Sequence, residues 1–257
     1  MAGSTPVGAM LPGRATVPPA RTPQRRRGPV VDNAGVAAAP LVLLDLDGTL
    51  TDSGPGIFAC AADAFRTLGL PVPTAAELRT FVGPPIADSF RAHGVPADRV
   101  RDAVTAYRAA FVAGGMYDNA VFDGIPEALR RLRADGCRLV VATSKPQVYA
   151  EPICARFGLD VLVDGVFGAP PDDVPSTKAD VIAAALAAIG DWSRGTTVMV
   201  GDREHDAAGA AAHGLRCVGV SWGYAGHGEL ERAGAVEVVD SPSALVATVR
   251  RLVGLTD

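Results

Sequence analysis

Residues 41–52, Leu-Val-Leu-Leu-Asp-Leu-Asp-Gly-Thr-Leu-Thr-Asp, constrain this chain more than any other stretch. Four consecutive aliphatic residues read as a strand buried on both faces, the pattern of a parallel sheet covered by helices. Asp45 and Asp47 follow at the strand's exit with only Leu46 between them, so alternation sends both carboxylates to the same side. Two anions held that close repel each other unless a cation or a proton lies between them. Gly48 permits a sharp turn that brings backbone close to a bound group. The pair suggests a Mg2+ and phosphate site, although an Asp-x-Asp-Gly on its own also ends ordinary strands. Signals further along the chain bear on that choice.

Short aliphatic or β-branched runs recur at residues 138–142, 162–167, 196–200, 215–220 and 236–239. Helical patterns separate them: one opens at Asp123-Gly-Ile-Pro, one runs to Phe157 with Pro152 as a kink, and one is Ala-rich from Lys178 to Ile189. Another, of small residues, ends at Gly214, and the last starts at Pro242. Strands alternating with helices predict an α/β fold built on a doubly wound parallel sheet. Between the first strand and about Val121 the chain is helical throughout, with patterns at 57–68, 74–82, 86–92 and 97–112 and a stiff Phe81-Val-Gly-Pro-Pro-Ile loop. The expected organisation is a core at 40–53 and 122–257, with a small all-helical cap at 54–121. Residues 1–39 are expected to be a disordered, basic, Pro/Ala/Arg-rich tail. Its Arg25-Arg26-Arg27 cluster lacks the apolar run of an export signal.

A net charge of −4 gives no reason to expect nucleic acid as a partner, and no apolar run reaches membrane-spanning length. Cysteines 60, 137, 154 and 217 have no zinc or redox spacing, so a reduced, cytoplasmic protein is expected. Of 24 basic residues only Lys145 and Lys178 are lysines, and both fall in loops near strand ends. A lysine kept in so arginine-rich a chain fits a site that needs a compact ammonium.

The strand ends supply the other polar groups: Thr143-Ser144-Lys145-Pro146, Lys178 ahead of its helix, and Gly201-Asp202-Arg-Glu-His-Asp206. In an open parallel sheet, ligands gather at such carboxyl ends. Asp202 and Asp206 also suit a helix cap, Thr143 an ordinary strand end, Lys145 an exposed turn, and His205 a helix-start residue packing nearby. Scattered histidines and cysteines argue against zinc.

Together these motifs resemble the haloacid dehalogenase superfamily, and in particular its phosphatases. Asp45-Leu-Asp47-Gly-Thr-Leu is similar to the family's first motif, Thr143 to its second, Lys178 to its third and Gly201-Asp202-x-x-x-Asp206 to its fourth, over about residues 41–240. Thr-Ser-Lys-Pro-Gln, Gly-Asp-Arg-x-His-Asp and Val-Ser-Trp-Gly-Tyr-Ala-Gly resemble the phosphoglycolate phosphatase-like and 5′-nucleotidase-like branch, which carries a helical cap. The resemblance implies a Mg2+-dependent phosphomonoesterase of small phosphorylated metabolites, working as a monomer or homodimer. It implies Asp45 as nucleophile and Asp47 as acid and base, with Thr143, Ser144 and Lys178 on the phosphoryl oxygens. Mg2+ would be held by Asp45, the Asp47 carbonyl, Asp202 and, through water, Asp206. Gly83 and Arg91 of the cap are expected to contact the substrate. A dehalogenase has no use for Asp47 as an acid; a phosphomutase of the same fold and a non-catalytic phosphate-binding module remain as alternatives. One departure stands out: Ala-Pro-Pro-Asp-Asp-Val-Pro-Ser-Thr precedes Lys178 where relatives carry Leu-Asp-Gly-Thr-Arg, which puts loop shape and substrate choice in question.

Overall fold

The structure is a computed structural model that describes residues 38–171 and 174–255, so nearly all of the expected tail at 1–39 lies outside the described residues. Its centre is β1 (Leu41–Leu44), every residue of which is buried. β4 (Arg138–Pro146) and β6 (Thr197–Gly201) flank it in parallel register. β5 (Gly165–Ala169) extends one side, and β7 (Arg216–Val220) and β8 (Glu237–Val239) the other, giving the parallel order β5-β4-β1-β6-β7-β8.

Alternation along β1 explains why both faces are covered. Leu41 and Leu43 join a cluster with Val181, Ile182 and Leu186 of α7 (Lys178–Ile189) and with Ala207 and Ala210 of α8 (Glu204–Ala212). Val42 and Leu44 belong to the opposite cluster, with Ile125, Leu129 and Leu132 of α5 (Ile125–Ala134) and with Leu245 and Val249 of α10 (Pro242–Val253). A strand with no polar residue can occupy only such a position. α6 (Gln147–Arg156), which contains Pro152, and the short α9 (Glu229–Arg232) complete the alternation.

The helical insert enters through β2 (Thr51–Asp52) and returns through β3 (Ala120–Val121). These two-residue strands pair antiparallel, Thr51 with Val121 and Asp52 with Ala120, and tie both ends of the insert beside the exit of β1. Between them lie α1 (Gly54–Thr67), α2 (Ala75–Leu78), α3 (Ile86–Ala92) and α4 (Val100–Ala113). Pro55 starts α1, and a Thr74–Glu77 capping box starts α2. The helical pattern at 74–82 yields only one turn of α-helix before tightening to a 3-10 turn at Arg79–Phe81. Phe65, Phe81, Phe90, Tyr107 and Phe111 form a chain of ring contacts at 5.5–6.3 Å. The aromatic residues of the chain are few, and these form the part of the buried cluster that lies in the insert, continuous with Val42 and Leu44 of the sheet.

One expected strand moves. Residues 162–167 carry the apolar run, but the chain turns at 161–164 and β5 begins at Gly165. Asp164 is where the pairing changes: its N–H donates to the Leu139 carbonyl at 2.6 Å, but the Leu139 N–H donates to its Oδ2 at 2.8 Å, a carboxylate standing in for a backbone carbonyl, while its Oδ1 meets Arg133 at 3.0 Å. Among the described residues no helix is long and apolar enough to cross a membrane.

Gly56 shows how closely the insert packs. A Cβ there would lie 2.0 Å from the Gly115 carbonyl oxygen and 2.9 Å from that of Asp118. Gly56→Ala is expected to lower unfolding stability by about 1–3 kcal/mol, the usual cost of forced overpacking. A urea midpoint matching that of the unmodified protein would show that α1 can shift away from the 3-10 turn at Gly115–Tyr117.

Candidate active site

Each strand tip delivers one part of the site. Asp45 leaves β1 with its N–H on the Val200 carbonyl at 2.9 Å, still in line with the sheet. The chain then turns tightly, Gly48 N–H to the Thr51 carbonyl at 2.7 Å, with Gly48 at φ +81°. Only glycine serves here, because a Cβ would also fall 2.2 Å from Asp202 Oδ2. β6 ends at Gly201 and hands over to Asp202 and Arg203. Cβ atoms at Gly201 and Gly223 would strike Asp206 and Asp202, so small residues clear the space the carboxylates occupy.

Lys178, first residue of α7 and 5 % exposed at its side chain, binds the parts together. Its Nζ donates to Asp45 Oδ1 at 2.6 Å and to the Ala142 carbonyl, midway along β4, at 3.0 Å, and pairs with the Asp206 carboxylate at 2.8 Å. Burial works to lower its pKa, but Asp206 and Asp45 prevail and raise it. Asp45 is pushed up to about 6, by burial first and then by Asp206 and Asp47, with Lys178 opposing. Asp202 is likewise raised well above the carboxylate range, by burial and then by Asp45 and Asp206. Its Oδ2 accepts the Tyr224 N–H at 2.7 Å.

Asp45, Asp202 and Asp206 each place a carboxylate oxygen within 4.8 Å of the others. Three buried carboxylates against one ammonium leave a shortage of positive charge, and the raised carboxyl groups express it. An all-oxygen donor set of this kind suits a hard divalent cation such as Mg2+.

Asp47 stands apart from that cluster. Its Oδ2 lies 3.0 Å from Lys145 Nζ, whose side chain is 6 % exposed and sits over the Phe111 ring at 4.8 Å from the centroid. Lys145 is therefore no exposed turn residue: β4 continues to Pro146, with a register shift after Thr143, and the strand carries the lysine inward. Its partner ring belongs to α4, which the sequence could not place beside it. Asp47 Oδ1 is buried with no hydrogen-bond partner.

Two cavities meet at this point. A small recess is lined by Asp45, Asp47, Thr143, Ser144, Lys178 and Asp206, together with Gly83, Lys145, Arg203 and His205. Asp202 lies beneath, fully buried. A cavity of about 450 Å³ opens between the core and the insert, with Ile57, Ile86, Pro84, Pro85, Pro146 and Val174 among its walls. Gly83 lines both cavities; Arg91 lines only the outer one, where its guanidinium pairs with Asp88 at 2.6 Å. His205, read as a residue packing at a helix start, faces the recess. Sequence reasoning missed Arg203 altogether. Its only advance signal was a basic residue directly after Asp202.

A protein-family model described as haloacid dehalogenase-like hydrolase matches residues 42–220. The tyrosine-protein kinase PtkA of Mycobacterium tuberculosis is 41 % identical over 208 residues, 81 % of this chain and 68 % of that protein. A 5′-nucleotidase of Pseudomonas aeruginosa is 40 % identical over 192 residues, 74 % of this chain and 86 % of that one. Among solved structures, a predicted phosphatase from Clostridium acetobutylicum superposes with a TM-score of 0.78 at 36 % identity, covering 84 % of this chain and all of that one.

The carboxylate excess has a measurable consequence in protein freed of divalent ions. Asp45 keeps its proton to about pH 6 in the folded chain against about 4 when unfolded, so folding binds a proton in that interval. Its contribution is present below about pH 4 and is lost as pH rises through about 6, on the order of 3 kcal/mol in all. The stability of the unmodified protein relative to Asp45→Asn should therefore fall across this window in urea titrations. A difference that stayed constant with pH would mean that Asp45 ionises normally.

Proposed function

The chain belongs to the haloacid dehalogenase-like hydrolase family and is a phosphatase of that type, and we propose that it hydrolyses small phosphomonoesters with Mg2+ through an aspartyl-phosphate at Asp45. The observation that carries this reading is the convergence of Asp45, Lys178 and Asp206 on a single recess, with Asp202 in the same carboxylate cluster, from two strand ends and two helix starts. Asp45, Asp202 and Asp206 would hold Mg2+, with the Asp47 carbonyl, and the ion would screen the charge of the ester.

Asp45 attacks phosphorus: an Oδ–P bond forms as the bond from phosphorus to the ester oxygen breaks. Lys178 fixes the attacking carboxylate by its 2.6 Å contact. Asp47 gives a proton to the departing oxygen, then removes one from the water that clears the intermediate. Thr143 and the Ser144 amide, both at the recess, hold the phosphoryl oxygens. The insert acts as a cap over the outer cavity. At about 450 Å³ that cavity falls in the range, roughly 300–1,000 Å³, that encloses ligands of tens of atoms, and its walls mix apolar side chains with polar and charged ones such as Arg91, Arg108 and Lys145. A nucleoside-sized leaving group suits it better than glycolate. A cytoplasmic setting fits four cysteines that are all buried and unpaired.

The similarity to PtkA favours a second reading, phosphoryl transfer to tyrosine. Incubation with labelled adenosine triphosphate separates them: base-stable label on tyrosine supports transfer, whereas release of inorganic phosphate from added monoesters supports hydrolysis. A phosphomutase would instead return an isomeric phosphate.

The deciding experiment is a screen of phosphorylated metabolites with Mg2+, using Asp45→Asn as blank. Nucleoside monophosphates should turn over with higher kcat/KM than phosphoglycolate, and Asp45→Asn should be inactive. Substantial turnover by that variant would remove Asp45 from the nucleophile role.

The two lysines make a further test. Lys178→Arg should cost about a hundredfold or more in kcat/KM, because a planar guanidinium cannot reproduce three contacts in one buried pocket. Lys145→Arg should lose about tenfold, since the ammonium is enclosed between Asp47 and Phe111. Activity unaffected by Lys145→Arg would mean that its ion pair does not matter to the reaction.

A further inference from the structure

Arg203 joins the two halves of the protein at the point where they matter most to each other. It follows Asp202 directly and its backbone N–H donates to Asp206 Oδ2 at 3.1 Å, so its own position is fixed by the carboxylate cluster. Its side chain, however, leaves that cluster. Nε donates to Glu229 Oε1 at 2.8 Å, and Nη1 donates to the carbonyl of Val82, in the insert loop between the 3-10 turn and α3. The residue is only 9 % exposed, and Val82 is fully buried.

Both ends of the contact are prepared for it. Glu229 is held by the N–H groups of Glu204 at 3.0 Å and Gly226 at 2.7 Å, so it presents a fixed carboxylate to the guanidinium. On the insert side, Gly83 lies on the arginine with φ +105°, and a Cβ there would come within 3.0 Å of Arg203 Cγ. The loop can settle on the core only because residue 83 is glycine and residue 203 reaches its neighbour's carbonyl. Another polar contact between insert and core, Arg79 Nη2 to the Gly223 carbonyl at 3.4 Å, is longer and exposed.

The same loop walls the outer cavity with Gly83, Pro84, Pro85 and Ile86. We propose that Arg203 is the positioning residue that docks this loop on the catalytic core and thereby sets the shape of the leaving-group cavity. Lysine cannot replace it, since one ammonium on an unbranched stem cannot serve Glu229 and the Val82 carbonyl along two fixed directions. The kinetic half of the proposal rests on the phosphatase reading, and the docking half does not.

The experiment uses the full chain with Arg203→Met, Arg203→Lys and Gly83→Ala, each followed by amide hydrogen exchange and by kinetics on adenosine monophosphate and p-nitrophenyl phosphate. Exchange across residues 82–90 should quicken about tenfold in Arg203→Met while β1 and β6 stay protected. KM for adenosine monophosphate should rise about tenfold, more than KM for the smaller ester, with Arg203→Lys in between. Gly83→Ala should reproduce both effects from the opposite side, and it decides the matter if Arg203→Met fails to fold. Unchanged exchange at 82–90 would overturn the docking role. A fall in kcat equal for both esters, with KM unmoved, would assign Arg203 to the chemistry instead. If the unmodified protein turns over neither ester, the phosphatase reading fails and the exchange result still stands.

Discussion

The buried ammonium of Lys178 is the contact on which the geometry of the site depends. It joins the exit of β1 and the middle of β4 to α8 through two carboxylates and a carbonyl, all within 3.0 Å. As the first residue of α7, it places positive charge at the helix end that ordinarily favours negative charge. Asp180, in the same first turn, closes a capping box with Thr177 and offsets part of that mismatch. The acids in the recess supply the rest. Removing one partner of such a buried pair commonly costs about 3–5 kcal/mol, because the other is left charged and unpaired. The small residues of α8 belong to the same constraint: a Cβ at Gly209 would lie 2.7 Å from Lys178 Cγ, so the lysine reaches the site only past a glycine.

A second constraint comes from how the insert is tied. β2 and β3 hold its two ends together, and Tyr224 reinforces the entry by accepting the Gly54 N–H at 3.0 Å and donating to Asp52. The rings of Phe65, Phe81, Phe90, Tyr107 and Phe111 make the insert internally firm. A firm unit fixed at one end meets the core again at the Val82 carbonyl and, through Phe111, at Lys145 and Tyr149, so its position over the cavity is set at several separate points.

The parallel core and the strand-tip residues were legible in the sequence because both rest on local signals. The aliphatic run at 41–44 and the β-branched run near 197–200 have no other stable home, and Asp45 and Asp202 are placed by where those runs stop, while Lys178 is placed by the Thr177–Asp180 capping box that starts its helix. What escaped depends on contacts between distant segments. Lys145 reads as a turn residue until Phe111 of α4 is brought over it, and Arg203 has no role to read until Val82 arrives. The shift of β5 to Gly165 has the same origin, since Asp164 is claimed by Leu139 and Arg133 from other elements. Two-residue strands such as β2 carry too little pattern to be read at all.

The recess and the outer cavity are not separate in this protein. Asp47, Gly83, Ser144 and Lys145 line both the recess and the outer cavity. A phosphoester spanning the two would have its bridging oxygen at that boundary, which is where an acid must stand to protonate it. Asp47 is there, but its carboxylate is paired to Lys145, and Lys145 rests on Phe111 of the insert. Any movement of α4 that displaces the ring therefore acts on the lysine, and through it on the carboxylate beside the leaving group. In the phosphatase reading, the insert that lines the leaving-group cavity also touches the lysine paired to the acid.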